Sequence, residues 1–109
     1  MKVRYKTRIP VATSVVFSNS ELSGKGRVLD LSTPGCLIES PKTMAKGQYL
    51  ELHIALPGHS SPFTVKLAAV RWAKGTRFGL EFIKMGRPEQ ETLNAFMTEQ
   101  MARGRAEGN

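Results

Sequence analysis

The regular alternation of apolar and polar side chains constrains the fold of this chain more than any other feature. Residues 49–56 place an apolar side chain at every second position: Leu50, Leu52, Ile54 and Leu56. Residues 76–83 repeat the pattern with Phe78, Leu80 and Phe82. A period of two is typical of strands with one buried face, so both segments are predicted to be β-strands whose apolar side chains point into a core.

Clusters of turn-forming residues divide the chain into six such segments. Strands are predicted over residues 11–17, 26–31, 35–40, 49–56, 63–73 and 76–83. Loops rich in Ser, Asn, Pro and Gly fill 18–24 and 57–62. In the second strand the alternation places Val28 and Asp30 on one face. In the fifth strand it slips near Ala68-Ala69, which predicts a bulge or bend. Six short strands at this spacing predict an all-β fold, a small antiparallel barrel.

The end of the chain has helical periodicity instead. Pro88 suits a first helical turn, and the nearby Glu89 and Glu91 favour the positive end of a helix dipole. Apolar residues then recur at helical spacing and form one stripe: Leu93, Phe96, Met97 and Met101. We predict an α-helix over 87–104 that packs across an opening of the barrel, followed by a frayed tail over 105–109.

Length and composition exclude several classes of protein. The 109 residues fit one domain, 1–109, and contain no apolar run as long as the roughly 20 residues of a membrane span. The single cysteine, Cys36, offers neither an internal disulfide nor a metal cluster and reads as a small buried apolar group. The basic start lacks an apolar stretch behind it, unlike a secretory signal. We therefore expect a cytoplasmic location, no membrane insertion, no metal and no cofactor.

An enzymatic function finds little support in the residue pattern. The two histidines, His53 and His59, have no nucleophile pattern near them, and Ser32 has no candidate base at motif spacing. The chain also lacks a glycine-rich phosphate-binding loop that ends in Lys-Ser or Lys-Thr. We therefore predict a binding protein rather than an enzyme.

The charge of the chain is uneven and points to an anionic partner. The formal net charge is +7, and residues 1–20 carry Lys2, Arg4, Lys6 and Arg8 without any acid. Residues 1–9 are predicted to be a flexible basic arm, which can be mobile alone and ordered when bound. A basic small barrel could also bind nucleic acid, for which Arg71-Trp72 is the basic–aromatic pair with the strongest case for exposure. Most other aromatics follow the inward alternation.

Two short motifs narrow the chemistry of that partner. Arg4 and Arg8 are four residues apart, and Asp30, Ser32 and Gly35 form an Asp-x-Ser-x-x-Gly sequence. Arginines donate to the O6/N7 edge of guanine and to phosphate, and a carboxylate accepts from guanine N–H groups. A glycine lets backbone approach a ligand or takes an awkward dihedral angle. Alone, the first motif could be a solvated face and the second a capped turn. Together, their residue types supply the donors, the acceptor and the close backbone approach that a guanine nucleotide with phosphates needs.

This pair of motifs resembles the signature of the PilZ family, bacterial receptors for cyclic di-GMP. The segments Gly35-Cys36-Leu37-Ile38-Glu39 and Arg77-Phe78-Gly79-Leu80-Glu81-Phe82 are similar to strands of that family, so the resemblance runs from Arg4 to about Ile83. It implies a six-stranded PilZ-type barrel over 10–84 and cyclic di-GMP as ligand.

The resemblance also implies a role for each motif residue. Arg4 and Arg8 match the arginines that clamp guanine faces and phosphates in the family. Asp30, Ser32 and Gly35 match the motif that holds a guanine edge and the adjoining phosphate.

Three further positions are possible ligand contacts. Trp72 lies where some family members place an aromatic beside the base, although a partly buried barrel tryptophan is an equal alternative. Lys6 is expected to add electrostatic attraction only. Val3 stands where an arginine accompanies an intercalated ligand dimer, so it favours a single ligand molecule.

We therefore expect a receptor that works by binding-coupled ordering. Cyclic di-GMP would bridge the arm and the turn at Asp30–Gly35, and the closed surface would be presented to a downstream protein that the sequence does not identify. Nucleic-acid binding is the alternative function.

Overall fold

The structure, a computed structural model, describes residues 7–107 of the chain. Its elements are six strands and one helix: β1 (Ile9–Ser18), β2 (Ser23–Leu31), β3 (Gly35–Glu39), β4 (Tyr49–Ile54), β5 (Phe63–Lys74), β6 (Arg77–Lys84) and α1 (Arg87–Glu107). The strands close into a barrel in the order β1-β2-β3-β6-β5-β4, and each neighbouring pair is antiparallel. The predicted all-β, six-stranded antiparallel barrel with a C-terminal helix is confirmed.

The inward-facing side chains of the alternating strands form the core. Leu50, Leu52 and Ile54 of β4 are fully buried, as the period of two predicts. Across the barrel, the rings of Phe17 and Phe78 meet edge to face, with centroids 5.5 Å apart and an interplanar angle of 85°. Such a pair adds about 0.5–1.5 kcal/mol to the burial of its area. These apolar contacts hold together the strands that carry the candidate site.

Helix α1 contributes its apolar stripe to the same core. Leu93, Phe96 and Met97 are buried in the core cluster, and Met101 is half-buried. The helix contacts β1 and β5, so the stripe packs against the barrel. The helix continues to Glu107, three residues beyond the predicted end at 104.

The first strand begins earlier than predicted. β1 starts at Ile9 instead of residue 11, because Ile9 and Pro10 pair with Leu31 and Asp30 of β2. The last residue of the predicted arm therefore belongs to the barrel. This pairing brings the preceding residue, Arg8, to the end of β2.

One predicted alternation is confirmed and another is wrong. The slip predicted near Ala68-Ala69 occurs as a register shift between Leu67 and Ala68 against β6. The shared face predicted for Val28 and Asp30 does not exist, because the pairing of β2 with β3 shifts between these two residues. The bulge at Leu29 lets both Val28 and Leu31 enter the core while Asp30 lies at the barrel surface, half-buried.

A second bulge lies opposite Leu29 on the neighbouring strand. Val11 and Ala12 of β1 face this one residue, since Pro10 pairs with Asp30 and Thr13 with Val28. Ala12 adopts φ +50°, a left-handed conformation that a residue with a Cβ rarely takes. The bulge separates the short Ile9–Pro10 pairing from the main part of β1.

Candidate functional site

An open cleft of about 250 Å³ lies between the start of β1, the β2–β3 turn and the β5–β6 hairpin. Its walls include one residue of the first motif and two of the second, Arg8, Ser32 and Gly35. The hairpin supplies the opposite wall, with Arg71, Trp72 and Glu81. Residues that are far apart in sequence thus meet at one surface depression.

An ion pair joins the two motifs at the rim of this cleft. Nη1 of Arg8 donates to Oδ1 of Asp30 at 2.8 Å, and the two side chains are 60% and 21% exposed. Because the Arg8 side chain is largely exposed, solvent screens the pair and limits it to about 0–1 kcal/mol, so an anionic ligand can compete for the guanidinium. The other arm positions, Val3, Arg4 and Lys6, lie outside the described residues.

The second motif closes the tight turn between β2 and β3. The Ser32 N–H donates to the Gly35 carbonyl at 2.9 Å, and the Ser32 hydroxyl donates to the same oxygen at 3.0 Å. The Pro34 carbonyl accepts from the Phe82 N–H at 2.8 Å, which ties the turn to β6. Ser32 is only 6% exposed. Its hydroxyl therefore fixes the shape of the cleft wall.

Gly35 is required for a reason other than the dihedral angle predicted for it. The described glycines with left-handed φ are Gly47, Gly58 and Gly75, and Gly35 is not among them. A Cβ on Gly35 would instead collide with the Leu80 carbonyl oxygen of β6. The glycine thus allows β3 and β6 to approach closely beneath the cleft.

Cys36 is a packing residue, as predicted. It is buried, and burial raises the pKa of its thiol, an effect that the negative charge of Asp30 reinforces. The thiol stays neutral at physiological pH. Because the thiolate is the nucleophilic form, Cys36 is unsuited to covalent chemistry.

Trp72 presents an indole ring in the cleft wall. It pairs with Gly79 of β6, and the ring lies against the backbone of that glycine, where a Cβ on residue 79 would collide with Nε1. The side chain remains 43% exposed. Trp72 is thus partly buried against the barrel and also lines the cleft, which agrees with both alternatives for this residue. Contact of its ring with a ligand stays a prediction.

Two wall residues were not predicted to be ligand contacts. Nε of Arg71 donates to Oε1 of Glu81 at 2.7 Å, and both side chains are about half exposed. Arg71 is the extra residue at the register shift between Val70 and Trp72, whereas the backbone partner of Glu81 on β5 is Ala69. The signal available in the sequence is the Arg71-Trp72 pair beside a hairpin turn, which was interpreted as support for the nucleic-acid alternative.

The described part of the chain contains neither a membrane-spanning helix nor a metal-binding cluster. Between residues 7 and 107, no helix has the length and apolar character needed to span a bilayer. Over residues 7–103, whose side chains the structure describes, no three His, Cys, Asp or Glu side chains cluster closely enough to hold a metal ion.

Comparison with known families identifies the fold that carries this cleft. The PilZ domain family matches residues 2–99, and the chain belongs to this family. Among curated proteins, none gives a significant match.

Solved structures share the fold at low sequence identity. The PilZ domain of YcgR from Escherichia coli with c-di-GMP has a TM-score of 0.70 at 14% identity, covering 99% of this chain and 98% of that one. The Bacillus subtilis inhibitor of motility, MotI/DgrA, has a TM-score of 0.68 at 18% identity, covering 87% and 50%. The PilZ domain of CeSA from a cellulose-synthesizing bacterium has a TM-score of 0.63 at 18% identity, covering 80% and 90%. The chain thus spans half the length of the MotI/DgrA chain.

Proposed function

We propose that this chain is a cyclic di-GMP receptor that changes conformation on binding and signals through a partner protein, and that it is not an enzyme. The observation that carries the proposal is the meeting of Arg8 and the Asp30–Gly35 motif at one cleft that also exposes Trp72. The related YcgR domain was solved with c-di-GMP, which supports the same ligand class here.

Each proposed ligand contact has a chemistry that suits a guanine nucleotide. Arg8 donates to guanine or phosphate once it exchanges Asp30 for the ligand. The carboxylate of Asp30 accepts from guanine N–H groups. Ser32 and Gly35 hold the turn that forms the wall beside the ligand. Trp72 supplies an aromatic face for a base.

The arm completes the site in this proposal. Arg4 acts with Arg8 as the second clamping arginine, and Lys6 adds positive charge. Val3 at the preceding position favours one ligand molecule rather than a stacked pair. The arm folds over the bound ligand, and the surface made of arm, ligand and barrel is recognised by the downstream protein. One structural relative is an inhibitor of motility, which supports action on a protein partner.

The domain limits and location belong to the same proposal. We assign the arm to 1–8, the barrel to 9–84 and the C-terminal helix to 87–107, because Ile9 already pairs in β1 and α1 extends to Glu107. A cytoplasmic location fits the single unpaired cysteine, Cys36.

Titration calorimetry with cyclic dinucleotides tests the ligand. Cyclic di-GMP is expected to bind about 100-fold more tightly than cyclic di-AMP, because adenine replaces the O6 acceptor with an amino donor and lacks the N1–H. The contrast should persist when salt is raised by a few hundred millimolar.

Equal affinity for the two dinucleotides would contradict the proposal. Tighter binding of a single-stranded oligonucleotide that is lost at high salt would instead support the nucleic-acid alternative.

Hydrogen exchange tests the ordering of the arm. Amides of residues 2–8 should exchange rapidly without ligand and become protected at saturating cyclic di-GMP, whereas residues 13–18 of β1 should be protected in both states because they already pair with β2. An arm protected without ligand, or unprotected at saturation, would show that the ordering mechanism is wrong even if the ligand is right.

A further inference from the structure

The cleft contains an ion pair on the wall opposite the two motifs. Arg71 and Glu81 both line the cleft, on either side of the β5–β6 hairpin, and their side chains are 53% and 49% exposed. Arg71 and Trp72 are adjacent at a register shift of β5, and both line the same wall of the cleft. We infer that Arg71 is a further ligand-binding arginine that contacts a phosphate of cyclic di-GMP, and that Glu81 weakens binding by competing for it; the inference rests on the proposed function.

The geometry leaves most of the Arg71 guanidinium available. Among residues 7–103, whose side chains the structure describes, Arg71 donates a hydrogen bond only from Nε, to Oε1 of Glu81. The two Nη groups carry four further N–H donors in a planar fork, which matches the spacing of phosphate oxygens. A phosphate in the cleft can therefore be bound by the Nη groups while Nε keeps its carboxylate partner, or can displace that partner.

The charge of Glu81 opposes a phosphate at this position. Its carboxylate lies 2.7 Å from Arg71 Nε, so a phosphate bound by the same guanidinium comes close to a second negative charge. Both groups are half exposed, so solvent screens this repulsion and limits it to a modest effect. Removing the charge while keeping the side-chain length should therefore raise the affinity for the ligand.

A second ion pair in the barrel provides a matched control. Arg77 of β6 donates from Nε to Oε2 of Glu39 on β3 at 3.2 Å, and these side chains are 53% and 40% exposed. It has the same chemistry and nearly the same exposure, yet neither residue lines the cleft. The two pairs thus differ chiefly in their access to the proposed ligand.

Calorimetry with cyclic di-GMP on four variants of the full chain tests the inference. Arg71→Ala should weaken binding about tenfold, as for loss of a charge-assisted hydrogen bond in a partly exposed site, and Glu81→Gln should strengthen it about threefold. Arg77→Ala and Glu39→Gln should leave affinity within about twofold. Thermal unfolding of each variant should show that both arginine replacements affect stability alike.

The outcomes separate this inference from the function on which it rests. If the unmodified protein binds cyclic di-GMP and Arg71→Ala behaves like Arg77→Ala, the role of Arg71 is overturned and the receptor function stands. If Glu81→Gln weakens binding, Glu81 contacts the ligand favourably and its competing role is overturned. If the unmodified protein does not bind the dinucleotide, both proposals fail.

Discussion

Arg8→Lys is expected to weaken cyclic di-GMP binding by at least about tenfold, and Arg4→Lys by a similar factor. Lysine keeps the positive charge but loses the planar fork that binds two acceptors at once and the flat face that stacks on a base. For Arg8 the structure supports this expectation directly, since its guanidinium reaches both the cleft and the Asp30 carboxylate. Calorimetric titration of each variant measures the effect.

Two controls separate the arginine chemistry from bulk charge. Arg103→Lys makes the same replacement at an equally exposed helix position, where Arg103 pairs with Glu99 at 3.3 Å, and should leave binding unchanged. Lys2→Ala removes a charge from the arm and should have a much smaller effect than either arginine replacement. If the two lysine variants of the motif bind like the unmodified protein, the arm acts by charge alone and nucleic-acid binding gains support.

Gly35→Ala is expected to lower the free energy of unfolding by about 2–3 kcal/mol. The added Cβ would collide with the Leu80 carbonyl oxygen, which is backbone and cannot rotate away as a side chain does. Relief would need β3 to move away from β6 and would break the pairing of Gly35 with Glu81. Urea unfolding of the variant and the unmodified protein measures the loss.

Gly58→Ala separates steric collision from backbone strain. Gly58 has φ +84° but open space around its Cβ position, so alanine there should cost only about 1 kcal/mol. A Gly35→Ala variant as stable as the unmodified protein, yet unable to bind ligand, would show that Gly35 serves ligand approach instead of strand packing.

The alternation of apolar and polar residues predicted the barrel because the same alternation determines which side chains enter its core. The alternation through Leu50, Leu52 and Ile54 needs no knowledge of other strands, and all three side chains are buried as expected. The motif residues Arg8 and Asp30 were predicted to act together on one ligand, and the structure brings their side chains into contact.

Features that depend on the neighbouring strand could not be predicted in this way. The bulge at Leu29 moves Asp30 off the face that strict alternation assigned to it, and only the register with β3 reveals it. The constraint on Gly35 comes from a carbonyl 45 positions later in the chain, and the contact of Arg71 with Glu81 joins side chains of two residues that are not register partners. A single sequence carries no direct signal of such cross-strand distances.

The bulge at Val11–Ala12 has a consequence for the speed with which the site can open. Among the described residues that precede it, from residue 7 onward, Ile9 and Pro10 are the ones paired with β2, and Pro10 has no N–H to donate. This end of the strand can therefore peel away without unzipping Thr13–Ser18, as a separate cooperative unit of low stability. Arg8 can then exchange partners on the nanosecond-to-microsecond timescale of local loop motions, while the barrel opens only at the far greater cost of global unfolding.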